Sequence, residues 1–306
     1  MLLSLLLLVI GFILLVRGAN TFVDGAVALA HRFNVPEIII GLTIVAMGTS
    51  APELAVSISS ALHGAGGMAI GNALGSNIIN ILLVLGTAAL VTPLNVQQKT
   101  VRYEIPFLIF ITVMLTWFGI EYTAITRTVS CMLLLFFAMF VCYLYFNARK
   151  EIIKAEKTPE ISLTKTITFL CVGLLVLVFG SDLTVKSATD LANILHVPDR
   201  IIGLTLVALG TSLPELVTCV IAAHKKRTGL VIGNIIGSNI FNILFVLGIT
   251  GLVVPMHFSY SFVIDATISA VITMLLWLFA VYKHKLARSA GIVFLICYIG
   301  YLIYLV

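Results

Sequence analysis

The chain has 306 residues, of which 60% are hydrophobic and only 10% charged, with a formal net charge of +5 and a mean hydropathy of +1.16. So little charge over this length excludes a soluble globular protein and leaves a polytopic helical membrane protein. The surplus Lys and Arg lie between the apolar blocks, which speaks for orientation in a bilayer and against a nucleic-acid partner.

Apolar blocks of about 20 residues, the length that crosses ~30 Å of hydrocarbon, tile nearly the whole chain. They predict ten spans at about 2–24, 37–62, 68–91, 104–121, 128–147, 163–187, 199–223, 230–254, 261–282 and 288–305. The first run, MLLSLLLLVIGFILLV, lacks a basic n-region and continues into more chain of membrane character, so it reads as a span and not as a signal peptide. The connections are short, and none is long enough for a soluble domain. The longest is the charged link around RKEIIKAEKTPE. Alternate loops place fourteen Lys and Arg on one side of the membrane and only Arg127 and Arg200 on the other. That imbalance predicts both termini outside and the 149–162 link in the cytoplasm of a cell-membrane protein. The five cysteines, Cys131, Cys142, Cys171, Cys219 and Cys297, lack metal-ligand spacing and read as packing residues.

The chain repeats itself. Residues 34–86 align with 196–248 at a constant offset of 162 without a gap, and about 30 of the 53 positions are identical. The two tryptophans, Trp117 and Trp277, continue the match in MLTW and MLLW. Each half then holds five spans, and an odd number sends the second half into the membrane from the opposite side. The fold class expected is an all-α membrane protein of ten transmembrane helices, built as two inverted five-helix repeats (1–148 and 163–306) around the 149–162 link.

The duplicated stretch GLTIVAMGTSAPEL (41–54), repeated as GLTLVALGTSLPEL (203–216), places a carboxylic acid at mid-span in each half, Glu53 and Glu215. Such an acid costs at least ~2.5–3.5 kcal/mol on insertion scales and marks a transport path by default. Thr49 and Glu53 are four apart and share a helix face, with Ser50 beside them; Thr211, Ser212 and Glu215 repeat the set. Pro52 and Pro214 remove an N–H, so each span should kink near the glycine four residues back and free carbonyl oxygens. The other acids, Glu104 and Asp265 among them, fall toward span ends, where solvated or interfacial roles are the default; Asp182 opens the last turns of span six. The next span of each half carries GNALGSNIIN (71–80) and GNIIGSNIFN (233–242). There Asn72, Ser76 and Asn80 share one face, as do Asn234, Ser238 and Asn242. Ser76, Asn80, Ser238 and Asn242 read as lining residues, whereas Asn77, Asn239 and the glycines read as interhelical packing. Carboxylate, hydroxyl and carbonyl oxygens without His or Cys suit a hard cation such as Ca²⁺ or Na⁺. Two glutamates give a site of charge −2, which one Ca²⁺ or two protons neutralise.

At these residues the chain resembles the sodium/calcium exchangers of the calcium/cation antiporter superfamily, in their prokaryotic form. Both alpha-repeat motifs match, GLTIVAMGTSAPEL with GNALGSNIINI and GLTLVALGTSLPEL with GNIIGSNIFNI. The resemblance implies alternating access, in which spans one and six slide across a fixed core. It also implies a ligand set of Glu53 and Glu215, with Thr49, Thr211, Ser50, Ser212, Ser76, Ser238, Asn80 and Asn242, and backbone carbonyls from Ala46 and Ala208. Several members of that family have an aspartate where this chain has Asn242. The proton-coupled branch carries an acid where this chain has Gly75 and Gly237. The function expected is Na⁺/Ca²⁺ antiport without a cofactor, an enzymatic reaction or an obligatory protein partner. A Ca²⁺/H⁺ antiporter is the alternative within the class, and a passive cation channel the alternative outside it.

Overall fold

The computed structural model describes residues 2–150, 162–195 and 208–305, and they form a helical bundle. In chain order the helices are α1 (Leu2–Phe33), α2 (Glu37–Thr49), α3 (Ala51–Leu62), α4 (Gly66–Val91), α5 (Thr100–Tyr122) and α6 (Arg127–Arg149). They continue with α7 (Leu163–Ile194), α8 (Ala208–His224), α9 (Thr228–Val253), α10 (Tyr260–Tyr282) and α11 (Arg288–Leu305). Eight of these, among the described residues, are single helices long and apolar enough to cross a membrane, and the bent pair α2–α3 makes a ninth. The chain is therefore an all-helical membrane protein. The first residues of the expected seventh span, 199–223, and the 149–162 link lie largely outside the described residues.

Burial sorts the helices into an inner and an outer set. Of its most apolar window, α9 has 94% buried and α4 has 72%, against 22% for α1 and α11. The two Asn-rich helices thus form the centre. Large apolar side chains such as Leu5, Phe12, Leu135, Leu175 and Ile296 stand exposed on the outer helices, a surface that water would not tolerate and lipid does. Cys131, Cys142 and Cys171 are exposed among them, Cys297 is half-buried against the core and Cys219 is fully buried within it. The packing role expected of the cysteines therefore holds at two positions.

Small residues set how closely the helices approach. Helices α1 and α7, 32 residues each, cross with their backbones almost touching. A Cβ added to Gly18 would stand 2.5 Å from the Leu177 nitrogen, and one added to Gly173 would stand 2.5 Å from that of Phe22. This is the close approach that small residues permit between membrane helices, where packing and not water exclusion drives association.

Two short strand pairs tie distant loops together, a detail that an all-α reading did not include. Strand β1 (Leu94–Asn95) pairs antiparallel with β4 (Lys285–Leu286), and β2 (Ala124–Ile125) with β3 (Met256–His257). Each pair joins a loop of residues 1–148 to a loop of residues 163–306. The turns after α3 and α8 also correspond: Gly64 is left-handed at φ +80°, and Lys226, at the offset of 162, is left-handed at φ +60° despite its Cβ.

The kink differs from expectation. In the first half the break falls at Ser50, two residues before Pro52, and α2 and α3 meet there at 43°. Pro52 sits in the first turn of α3, where a missing N–H is harmless, so the helix restarts instead of bending through. Pro214 lies inside a continuous α8. Widened π turns add further irregularity at Gly41–Val45, Asn80–Leu85, Thr100–Glu104 and Asn242–Val246.

Glu104 is a correction. It is buried, not solvated, and accepts a 2.7 Å hydrogen bond from the Tyr143 hydroxyl. The Trp277 indole donates to the Val101 carbonyl at 2.9 Å in the same π turn, whereas its repeat partner Trp117 is exposed. Asp182 pairs with Lys186 along one exposed face of α7. Asp24 and Glu37 pair with Lys225 and Arg227 at 2.7 and 2.9 Å, joining α1 and α2 to the turn between α8 and α9. Both pairs are partly solvated, so each is worth about 1 kcal/mol at most. Lys225→Gln should accordingly shift the thermal midpoint of the detergent-solubilised protein by only a few degrees, read by differential scanning fluorimetry.

Candidate cation site

The broken span places Thr49 as the last residue of α2, Ser50 at the break, and Glu53 in the first turn of α3. All three are fully buried. From the other half, Ser212 and Glu215 on α8 are also buried and Thr211 is half-buried. The two halves meet here through their side chains. The Ser50 hydroxyl donates to Glu215 Oε1 at 2.8 Å, and the Ser76 hydroxyl reaches Glu53 Oε1 at 3.5 Å. Ser238, on α9, donates to the Ala46 carbonyl at 3.5 Å. Ala46 itself is buried on α2 beside Gly237, whose added Cβ would meet the Ala46 Cβ at 2.8 Å. Ala208 opens α8 where the described residues resume, and its side chain lies outside them.

Asn80 and Asn242 each begin a π turn, on α4 and α9 respectively, and both are completely buried. Such turns often occur at functional sites because they redirect a side chain within a helix. Eleven of the twelve positions singled out in the sequence thus fall in the described core, on α2–α3, α4, α8 and α9. The twelfth is Ala208.

The hydrogen-bonding account leaves particular atoms over. Of ten buried side-chain oxygens without a protein partner among the described residues, five belong to the positions singled out: Glu53 Oε2, Glu215 Oε2, Asn80 Oδ1, Asn242 Oδ1 and Ser212 Oγ. Buried polar atoms are nearly always satisfied, so a group of orphaned oxygens on four adjoining helices requires an explanation. Two of them belong to carboxyl groups, and burying two like charges is costly unless positive charge joins them. Oxygen-only donors fit a hard cation that gathers six to eight of them.

Four further residues take part. Thr49 donates to Asn234 Oδ1 at 3.2 Å, and Thr211 donates to Asn72 Oδ1 at 3.4 Å. Asn72 also donates to the Glu53 carbonyl at 3.2 Å and to Ser57 at 3.1 Å. Asn234 donates to Cys219 Sγ at 3.3 Å. Asn72 and Asn234 therefore hold the threonines and the acid-bearing turn in place. Their signal in the sequence was the i, i+4, i+8 face shared with the serines and the final asparagines. Asn77 and Asn239, which read as packing residues, contact each other between α4 and α9.

Fold and site together describe a membrane protein with a buried, oxygen-lined centre, the class to which cation carriers belong. The family model "Sodium/calcium exchanger protein" matches residues 3–146 and 165–306, and the chain belongs to this family of cation/Ca²⁺ antiporters, which are transporters and not enzymes. The inner membrane protein YrbG of Escherichia coli strain K12 is 36% identical over 297 residues, covering 90% of this chain and 90% of YrbG. The sodium/calcium exchanger MaX1 of Methanosarcina acetivorans is 30% identical over 343 residues, covering 99% of this chain and 98% of that protein. Among solved structures, the sodium-calcium exchanger NCX_Mj soaked with 2.5 mM Na⁺ and 10 mM Sr²⁺ superposes with a TM-score of 0.85 at 34% identity, over 97% of both chains. The same exchanger soaked with zero Na⁺ and Ca²⁺ gives 0.87 at 33% identity, over 100% of this chain and 99% of that one.

Proposed function

We propose that the protein is an electrogenic Na⁺/Ca²⁺ antiporter of the cell membrane, working by alternating access on one site between Glu53 and Glu215. The observation that carries the reading is the set of orphaned oxygens: one from each glutamate, one from each of Asn80 and Asn242, and one from Ser212, all buried between α3, α4, α8 and α9. In this reading the carboxylates bind the ion as charged ligands. Thr49, Thr211, Ser50, Ser212, Ser76 and Ser238 complete the shell with hydroxyl or carbonyl oxygens, as do the backbone carbonyls of Ala46 and Ala208.

The architecture proposed is ten spans in two inverted five-helix repeats, 1–148 and 163–306, with both termini outside and the 149–162 link in the cytoplasm. The strand pairs support it. Strand β1 corresponds to β3, and β2 to β4, so the two pairs exchange with each other under the repeat. An inverted repeat of this kind places its binding site at the midplane, between the halves.

Charge counting makes the exchange electrogenic in this reading. The −2 of two carboxylates is neutral with one Ca²⁺ and +1 with about three Na⁺, so a full cycle moves net charge through the membrane field. Sodium is preferred over protons because Gly75 and Gly237 stand where a proton-coupled carrier would place acids. Reconstituted vesicles loaded with Na⁺ should take up radioactive calcium, and the uptake should persist when a protonophore collapses any pH gradient. Net positive charge leaves with each turnover, so clamping the interior positive should speed uptake and clamping it negative should slow it. Uptake that follows a proton gradient and ignores sodium would replace this reading with Ca²⁺/H⁺ antiport.

A further inference from the structure

We infer that Asn77 and Asn239 are positioning residues that fix which end of the Asn80 and Asn242 carboxamides faces the cation; the inference rests on the exchanger reading of the site. A carboxamide has an oxygen end that attracts a cation and an NH₂ end that repels it, and the two ends are nearly the same shape. An amide used as a cation ligand therefore needs a neighbour that selects its orientation.

The four asparagines make that selection in a closed set of hydrogen bonds between α4 and α9. Asn77 Nδ2 donates to the Asn239 backbone carbonyl at 3.1 Å, and Asn239 Nδ2 donates to that of Asn77 at 3.2 Å. With their NH₂ groups engaged on each other's backbone, the two side chains turn their Oδ1 atoms the other way, where they can only accept. Asn242 Nδ2 donates to Asn77 Oδ1 at 3.1 Å, and Asn80 Nδ2 donates to Asn239 Oδ1 at 3.0 Å. Reversing Asn80 or Asn242 would press oxygen against oxygen. The result is that Asn80 Oδ1 and Asn242 Oδ1 are orphaned, in company with the two glutamate oxygens. All four amides are buried, so no bulk water competes for these positions. A packing role alone requires contact between the helices; it does not require donors and acceptors sorted so that both ligand oxygens are left free.

The test uses the full-length protein in vesicles and measures KM and kcat for Ca²⁺. Asn77→Ala adds no atoms and introduces no clash, yet it releases Asn242 to turn either way. KM should rise about tenfold, the ordinary scale for a lost hydrogen bond to a buried group, with kcat within about threefold of the parent. A carboxylate offers an oxygen in either orientation but also adds a charge to the site, so Asn242→Asp is measured alone and combined with Asn77→Ala. The two should have the same KM within about threefold, because an aspartate there needs no neighbour to orient it. The mirror pair, Asn239→Ala with Asn80→Asp, should behave alike and is read should the first variant not be recovered folded. An unchanged KM in the alanine variants, or a cost of the alanine substitution that is equal in the asparagine and aspartate backgrounds, overturns the inference. Glu53→Gln in the same preparation separates the two readings. If it abolishes exchange while Asn77→Ala leaves KM unchanged, only the positioning role falls; if it retains exchange, the site itself is elsewhere.

Discussion

Glu53→Gln and Glu215→Gln should each reduce Na⁺-driven Ca²⁺ uptake by at least about a hundredfold. Removing one of two unit charges some 4 Å from a divalent ion forfeits about 8 kcal/mol at an effective dielectric of 20, before the saved cost of burying the carboxylate is subtracted, so a loss of about a hundredfold is a floor. The substituted amide also presents an NH₂ group to the cation. The loss should not come from unfolding. Gln keeps the shape of the side chain and removes the need to bury an acid, so without ions each Gln variant should melt at or above the parent's temperature. Added Ca²⁺ should raise the melting temperature of the parent and leave that of the variants in place, because only a folded state that binds the ion is stabilised by it. Full uptake in both single variants would place the site elsewhere, and a variant that melts far below the parent would make the loss of uptake a folding effect.

The second large effect is expected at the crossing of α1 and α7. Gly173→Leu puts its first added carbon 2.5 Å from the Phe22 nitrogen and 2.8 Å from its Cα. Gly18→Leu does the same against the nitrogen and Cα of Leu177, at 2.5 and 2.8 Å. Backbone atoms cannot rotate aside as a long side chain can, so the helices must separate along their length. The cost should exceed the usual ~1–3 kcal/mol of an overpacked core, because contact is lost beyond the substituted turn. Monodisperse yield on size exclusion and uptake per folded molecule should both drop several-fold. Gly300→Leu, on an exposed face of α11 with open space around it, is the matched control and should change neither. Equal behaviour of all three variants would mean that the α1–α7 contact does not hold the bundle together.

Much of this was legible in the residues because the chemistry is duplicated. Glu53 and Glu215 stand out as acids at mid-span, and the 162-residue offset places Thr49, Ser50, Ser76 and Asn80 in register with Thr211, Ser212, Ser238 and Asn242. Spacing by fours then puts the right atoms on one face. What spacing does not carry is hydrogen-bond direction. Asn77 and Asn239 occupy the helix face opposite a packing partner, and only the partner's backbone shows that their donors are engaged and their oxygens are turned toward Asn242 and Asn80. The kink moved for a related reason. A proline tells that an N–H is missing but not which side of it the helix stops, and at Pro52 the chain breaks before the ring while at Pro214 it does not break at all. Nearness to a span end does not decide exposure either: Glu104 is buried, with the Tyr143 hydroxyl of α6 donating to it.

The crossing of α1 and α7 has a mechanical corollary. Phe22 of α1 lies against Gly48 of α2, within 3.1 Å of the carbon a Cβ there would add, and Ser181 of α7 donates to the Gly210 carbonyl of α8 at 3.0 Å. Leu174 of α7 comes within 3.3 Å of the same added carbon at Gly48, so the two helices together touch both acid-bearing spans, α2–α3 and α8. Because they are joined backbone to backbone, neither can travel without carrying the other. For the alternating-access carrier proposed here, this fastening means that any displacement of the pair would act on both acid-bearing spans at once.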